Sequence, residues 1–311
     1  MTGTEACEKI MESVNGLISG KEDVVRKVMT AIIAGGHILI EDIPGVGKTT
    51  MAKAFAAAMG LDNRRIQFTT DVMPSDITGF MMFDKWKNDF VFKPGAVMCN
   101  LLLADEINRT SSKTQAALLE VMEEGRVTID GETKQVPHPF MVIATQNPIG
   151  SVGTTLLPES QLDRFMFRIN MGYPEMEYEI NMLMDKQEKS DILSSVKPII
   201  NKEQLQIMQE EAAKVFVHKD IAAYAVRLVN FTRNHPDIEL GISPRGTIAI
   251  VKAAKALAYI EGRDYVIPDD IKHVLYDATN HRIVLSGRGK SQGATVKTII
   301  HDMIKNVTED K

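Results

Sequence analysis

His37-Ile-Leu-Ile-Glu-Asp-Ile-Pro-Gly-Val-Gly-Lys-Thr49 is the stretch on which the fold turns. His37–Glu41 has the apolar density of a short buried strand. A Gly/Pro loop follows, and the spacing then predicts a helix from about Lys48 to Met59. Strand, glycine loop and helix in that order are the required context for the phosphate-loop pattern G-x-x-x-x-G-K-[ST]. Asp42 stands where that pattern has its first glycine; the rest is present. Gly45 and Gly47 let backbone N–H groups turn inward onto phosphate oxygens, and the helix adds the positive end of its dipole. Lys48 can reach the β- and γ-phosphates, and the Thr49 hydroxyl can ligate Mg²⁺. A second Gly-Lys-Ser sits at Val284–Ser291. Too few residues follow it for a strand with a carboxylate pair, so it reads as a flexible loop between helices.

Working outward, helical apolar spacing covers 7–18 and 21–34. Short strands are expected at 66–68, 100–104 and 140–144, with a helix over 112–124 that stops at Gly125, a suitable C-terminal cap. Strands alternating with helices predict an α/β layer with a mostly parallel sheet. Two hairpins interrupt the alternation. Gly79–Phe92 has 85–89 as its polar turn, and Val127–Val136 turns at Asp130-Gly131. Beyond about Gly172 the pattern becomes helical, over 175–189, 202–216, 219–234, 244–260, 268–282 and 292–306. Pro244 and Pro268 fall near helix starts, where proline is tolerated. The expected division is an α/β domain over 1–187 and an all-α domain over 188–311, with no internal repeat.

The bulk numbers agree with an ordinary globular protein. The 311 residues favour about two domains. A net charge of -5 argues against a generally basic, nucleic-acid-coating protein. Cys7 and Cys99 are the only cysteines and lack metal-type spacing, which points to a reducing, cytoplasmic setting. No signal peptide is expected at the N-terminus, and no apolar run is long enough to cross a membrane. The 18 methionines read as adaptable core filler.

Leu101–Asp105 followed by Glu106 is an apolar strand ending in two acids. At the C-terminal end of a buried parallel strand such a pair lies where α/β ligands bind. Asp105 would hold Mg²⁺ through water, and Glu106 would orient and deprotonate the attacking water. The next strand ends in Thr145-Gln146-Asn147-Pro148. If the two strands are neighbours, Asn147 can hydrogen-bond that water or the γ-phosphate. Arg164 and Arg245, in Gln161–Phe165 and Ile242–Gly246, are candidates for stabilising transition-state charge. Taken alone, either arginine reads as a surface ion pair.

Together these residues resemble the AAA+ ATPases, and the wording resembles the MoxR family. The matching stretches are 37–49, RIQFTTDVMPSDITG at 65–79, NLLLADEINR at 100–109, QAALLEVMEEGRVTIDG at 115–131, VIATQNP at 142–148, LPESQLDRF at 157–165 and SPRG at 243–246. Pro268–Leu285, with His281-Arg282, is similar to the family's lid. The resemblance implies a P-loop sheet sandwiched by helices with a helical lid, and Mg²⁺-dependent ATP hydrolysis. It matches Asn147 to the first sensor, Arg164 to the arginine finger and Arg245 to the second sensor. It matches Ile18-Ser-Gly20 to the adenine-contacting segment. Nucleotide contacts are therefore expected from Ile18, Gly20, Pro44, Gly45, Val46, Gly47, Lys48, Thr49, Thr50 and Asp105, with Thr49 and Asp105 on the metal.

An arginine finger acts on a neighbour's ATP, so the resemblance implies a homo-oligomeric ring, a homohexamer first of all. It also implies a chaperone-like action on a protein client, often a von Willebrand factor A-domain protein. The two hairpins match inserts that commonly face the pore or the client. Departures from the family pattern occur at Asp42, at Pro94–Met98, at Ser111-Ser112 and at Gly150; none removes a catalytic group. Two other roles fit the same residues, a chelatase-type metal-insertion motor subunit and a nucleotide-gated assembly adaptor that barely turns over. A nucleic-acid remodeller is disfavoured by charge. Trp86 reads either as a client contact or as a part-packed turn residue; His281 reads as structural and Cys99 as buried.

Overall fold

The computed structural model describes residues 1–18, 20–41, 47–147, 157–173, 176, 180 and 196–308. Ser19, Asp42, Pro44, Gly45, Val46, Pro148 and Gly150 lie outside them. So do most of the helix expected over 175–189 and the expected domain boundary at 187/188.

Five parallel strands form the central sheet: β1 (Ile38–Glu41), β2 (Asn63–Gln67), β5 (Leu101–Asp105), β8 (Met141–Gln146) and β9 (Phe167–Ile169), in the order β2-β5-β8-β1-β9. Alternate residues of the inner strands β5, β8 and β1 feed opposite cores, as the pleat requires. Leu39, Leu102, Ala104, Val142 and Ala144 pack on one face with Leu118 and Leu119 of α5 (Ser112–Glu124). Ile38, Ile40, Leu101, Leu103, Met141 and Ile143 pack on the other with α1 (Gly3–Asn15), α2 (Glu22–Ile33) and α3 (Lys48–Ala58). The parallel sheet expected from the sequence is present with helices on both faces. β9, a short strand the periodicity did not reveal, adds its edge.

The second core runs without a break into the C-terminal helices. These are α7 (Lys202–Lys214), α8 (Lys219–Arg233), α9 (Pro244–Ile260), α10 (Pro268–Thr279) and α12 (Val296–Asn306). They follow two short helices, α4 (Pro74–Thr78) and α6 (Glu159–Leu162). The segment expected to be a flexible loop at 284–291 is ordered instead. Its first residues form β11 (Val284–Leu285), which pairs antiparallel with β10 (Ile238–Leu240). The rest is α11 (Gly287–Ser291), whose first turn is capped by the Ser286 hydroxyl accepting from Gly289 N–H at 3.1 Å. Local capping and tertiary strand pairing organise a stretch that has too little apolar periodicity to announce itself.

Both expected hairpins form. β3 (Gly79–Asp84) pairs with β4 (Asp89–Pro94), and β6 (Arg126–Ile129) pairs with β7 (Glu132–Gln135). Asp130 and Gly131 both take positive φ, 49° and 83°, as a two-residue hairpin turn needs. Trp86 in the first hairpin's turn is 98% exposed, with Phe80, Phe83 and Phe90 also open to solvent. It is not packed. Both cysteines are buried, and burial pushes their thiols up to about 12. Among the described residues no helix is long and apolar enough to cross a membrane.

Candidate nucleotide site

The C-terminal ends of β2, β5, β8 and β1 lie side by side. Gln67 is in register with Asp105, and Glu41 with Gln146. Strands β5 and β8 are direct neighbours, as the use of Asn147 requires. The sheet therefore delivers Asp105, Glu106 and Asn147 to one edge.

Glu106 leaves the strand in a left-handed conformation, φ 57° and ψ 47°, rare for a residue with a side chain. Its N–H donates to the Thr145 hydroxyl at 2.9 Å, and that hydroxyl donates to Asp105 Oδ1 at 3.3 Å. One threonine thus orders both acids. Gln115 Nε2 donates to the Ile107 carbonyl at 3.1 Å and holds the turn from behind. Burial alone would raise the Glu106 carboxyl. Hydrogen bonds from Arg109, Asn147 and Gln67, with the Arg109 charge, outweigh it and keep the group below the usual carboxylate range. Glu106 is therefore an ionised acceptor at neutral pH, with the Asn147 amide on it. Asn147 is itself clamped by Asn108, which accepts from its N–H and donates to its carbonyl, both at 3.4 Å. Asp105 is buried and paired through Oδ2 with Arg65 Nε at 2.6 Å.

After β1, α3 is entered from its N-cap Gly47, whose φ of 95° suits a residue without a Cβ. Gly47 at the N-cap offers no side-chain cap, and Lys48, Thr49 and Thr50 make up the first turn. Ile18 packs beside it: a Cβ added to Gly47 would lie 4.0 Å from Ile18 Cγ2. Lys21 fixes the segment next to Ile18 and Gly20, donating to the carbonyls of Met171 at 2.6 Å, Gly172 at 3.2 Å and Tyr173 at 2.8 Å.

Arg164 and Arg245 are brought together, but elsewhere. Arg164 Nε donates to Glu123 Oε2 at 2.9 Å, and Arg245 Nη2 donates to Glu123 Oε1. Glu123 lies in the last turn of α5, whose N-terminus follows the Glu106 turn. At 1.5 Å per residue, about 16 Å of helix separates Ser112 from Glu123. The backbones of the two arginines share one anchor. Asp163 accepts from Ser243 Oγ at 2.8 Å through Oδ2 and from Arg282 Nε at 2.6 Å through Oδ1. Arg282 also donates to the carbonyls of Phe165 at 2.7 Å and Met166 at 3.2 Å. Gly246 is what lets it pass, since a Cβ there would come within 2.8 Å of Arg282 Cδ. Burial pulls the Arg282 guanidinium below its usual value despite Asp163. His281 is buried, with Nε2 at 3.0 Å from the Phe165 carbonyl. That is a structural position.

Residues 37–167 match the model of the ATPase family associated with various cellular activities (AAA), and 230–303 match the AAA lid domain. The chain is 38% identical to Chaperone MoxR1 of Mycobacterium tuberculosis, over 96% of this chain and 81% of that protein. It belongs to the MoxR family of AAA+ ATPases. The uncharacterized protein YeaC of Bacillus subtilis is 46% identical over 96% of this chain and 93% of its own length. Among solved structures, a Cytophaga hutchinsonii protein assigned as an ATPase superposes with a TM-score of 0.91 at 35% identity, covering 99% of this chain and 96% of that one.

The residues of this MoxR-family chain suit Mg·ATP by their donor set. Among the described residues no group of three or more His, Cys, Asp or Glu could hold a metal by itself. Asp105 and Thr49 carry a carboxylate and a hydroxyl, the donor types that Mg²⁺ takes beside a substrate's own phosphates. Sequence alone assigned no role to Gln67, Asn108, Arg109, Glu123, Thr145, Asp163 or Ser243, and marked Arg282 only as part of the lid-like stretch. Several of these stood inside the family-like stretches. Their spacing alone carried no chemistry.

Proposed function

We propose that the chain hydrolyses Mg·ATP at the seam between adjacent copies in a homo-oligomeric ring, a homohexamer in the simplest case. The hydrolysis would drive remodelling or activation of a protein client. The observation that carries this reading is the separation of the charges. The acids stand at the strand ends, and the two arginines gather at the far end of α5, beyond the reach of one side chain. An ATP held by the loop before α3 meets Glu106 of its own chain. It needs Arg164 from another.

Each residue then has one task. The phosphate-loop amides, with Gly45 and Gly47, cradle the phosphates, and Lys48 offsets their charge. Ile18 and Gly20 sit against the base. Thr49 and Asp105 would hold Mg²⁺, which would supply positive charge to offset that of the phosphates. Glu106 accepts the proton of the attacking water, and Asn147 orients that water. Arg164 and Arg245, from the neighbour, stabilise charge on the transferring group. The domain reading that goes with this is a catalytic core over 1–187 and a lid over 188–311. A von Willebrand factor A-domain protein is the client class to test first, with the exposed aromatic hairpin at 79–94 as the contacting element.

Glu106→Gln is the deciding variant. It should bind ATP with near-normal affinity and lose about 10²–10⁴-fold in kcat. Undiminished hydrolysis would remove Glu106 from the role of base. The same variant, loaded with ATP and used in a pull-down, should retain the client.

A further inference from the structure

Glu123 has no role in the reading above, yet both arginines meet on it. Its two oxygens are divided between them. Oε2 takes Arg164 Nε at 2.9 Å, and Oε1 takes Arg245 Nη2. We propose that Glu123 is a positioning residue for hydrolysis, holding Arg164 and Arg245 as one pair with their remaining donors directed at the neighbouring copy's γ-phosphate. This rests on the reading that both arginines act across the seam.

Donor counting supports it. A guanidinium has five N–H donors. Arg164 spends one on Glu123 and one on the Ser160 carbonyl at 3.0 Å, which among the described residues leaves Nη2 whole. Arg245 spends one Nη2 hydrogen on Glu123. Neither arginine has to leave the carboxylate to bind a phosphate oxygen. Charge supports it too. Two guanidiniums repel, and an anion between them lets both stand close to one target.

The backbones are already fixed, because Asp163 joins the Arg164 segment to Ser243 and Arg282. What remains loose is the two long side chains, whose exposures are 29% for Arg164 and 46% for Arg245. Ordering them before ATP arrives is what preorganisation asks for. A plain surface ion pair would contribute almost nothing. Glu123 differs from one because a single carboxylate gathers residues of two separate motifs, each needed at the same phosphate.

The test uses the full chain. Glu123→Gln keeps the shape and removes the charge. Its kcat should fall by about tenfold or more, with binding of a fluorescent ATP analogue unchanged within about twofold. Glu123→Asp should recover more than Glu123→Gln. A rise in kcat would make Glu123 a latch against the arginines and overturn the proposal.

Mixing then separates this idea from the one beneath it. Glu123→Gln subunits have a sound ATP site, and Glu106→Gln subunits have sound arginines. Mixed rings should hydrolyse faster than either variant alone. Arg164→Ala mixed with Glu106→Gln is the control. If the control recovers and the Glu123 mixture does not, Glu123 is not a positioning residue. If the control itself fails, the arginines do not act across the seam and both ideas fall.

Discussion

The carboxylate edge and the arginine edge are built by opposite means. Asp105, Glu106 and Asn147 ride on buried parallel strands, and their positions follow from sheet register and one threonine hydroxyl. Arg164 and Arg245 lie on loops and helix starts. They are placed by a junction between the two halves of the chain, through Asp163, Ser243 and Arg282. A strand end is rigid with little help, because every backbone group is already paired. A loop needs buried side-chain partners to be equally well placed. The difference teaches that one edge is secured by secondary structure and the other by tertiary contact. His37 is a strut between the last turn of α5 and the start of β8. Its Nε2 is 2.9 Å from the Met122 carbonyl, next to Glu123, and its Nδ1 accepts from Val142 N–H on β8 at 3.1 Å.

The sharpest way to break the comparison is to empty the arginine edge. Arg164→Ala should lower kcat by about 10³-fold or more while ATP still binds. Turnover and binding measured separately decide it. Loss of binding with normal turnover per bound ATP would mean the two edges do not form one site.

Next in size is the junction. Arg282→Met removes the partner of Asp163 and the donor to the Phe165 and Met166 carbonyls. Stability should drop by about 3–5 kcal/mol, read from urea midpoints. Rings that still form should hydrolyse slowly, because Arg164 loses its anchor. An unchanged midpoint would make the junction a bystander.

The strut gives a pH signature. Burial lowers His37 to about 4, against about 6.5 in an unfolded chain. The unfolded state therefore takes up the proton first. The stability from neutral His37 is whole above pH 6.5 and is lost as pH falls toward 4, about 3 kcal/mol across that window. The buried His281, also lowered, acts in the same direction. The gap in urea midpoint between wild type and His37→Asn should shrink from pH 7 to pH 5. A constant gap would show that His37 is not buried as the neutral form.

The smallest effect belongs to Arg109. Its hydrogen bond and charge help keep Glu106 below the usual carboxylate range, so a base at Glu106 would stay ionised and the pH–kcat profile should be flat on its acid side near neutrality. Arg109→Ala removes them. The acid limb should move toward neutral pH, with kcat at pH 8 little changed. An unmoved limb would leave Asn147 and Gln67 as the groups that matter.

Much of this was readable in the chain. The unbroken apolar runs Ile38–Ile40 and Leu101–Ala104 announced the strands. Gly-Lys-Thr after the first and Asp-Glu after another marked where a nucleotide would sit. Gly125 and Asp130-Gly131 marked a helix end and a hairpin turn, because few residues tolerate positive φ. β9 was hidden because three residues are too few for a period to emerge. The Val284–Ser291 stretch was misjudged because its order comes from pairing with Ile238–Leu240, far off in sequence.

The sequence by itself determined the sheet, the layers and the identities of the charged groups. Those depend on local periodicity and on which side chains can bind a phosphate, a metal or a proton. Only the tertiary structure decided how the charges are sorted. That Glu123 gathers Arg164 and Arg245, and that Asp163 ties both to Arg282, depends on which elements pack together. A hydrogen bond joining residues about a hundred apart leaves no mark on the spacing of either.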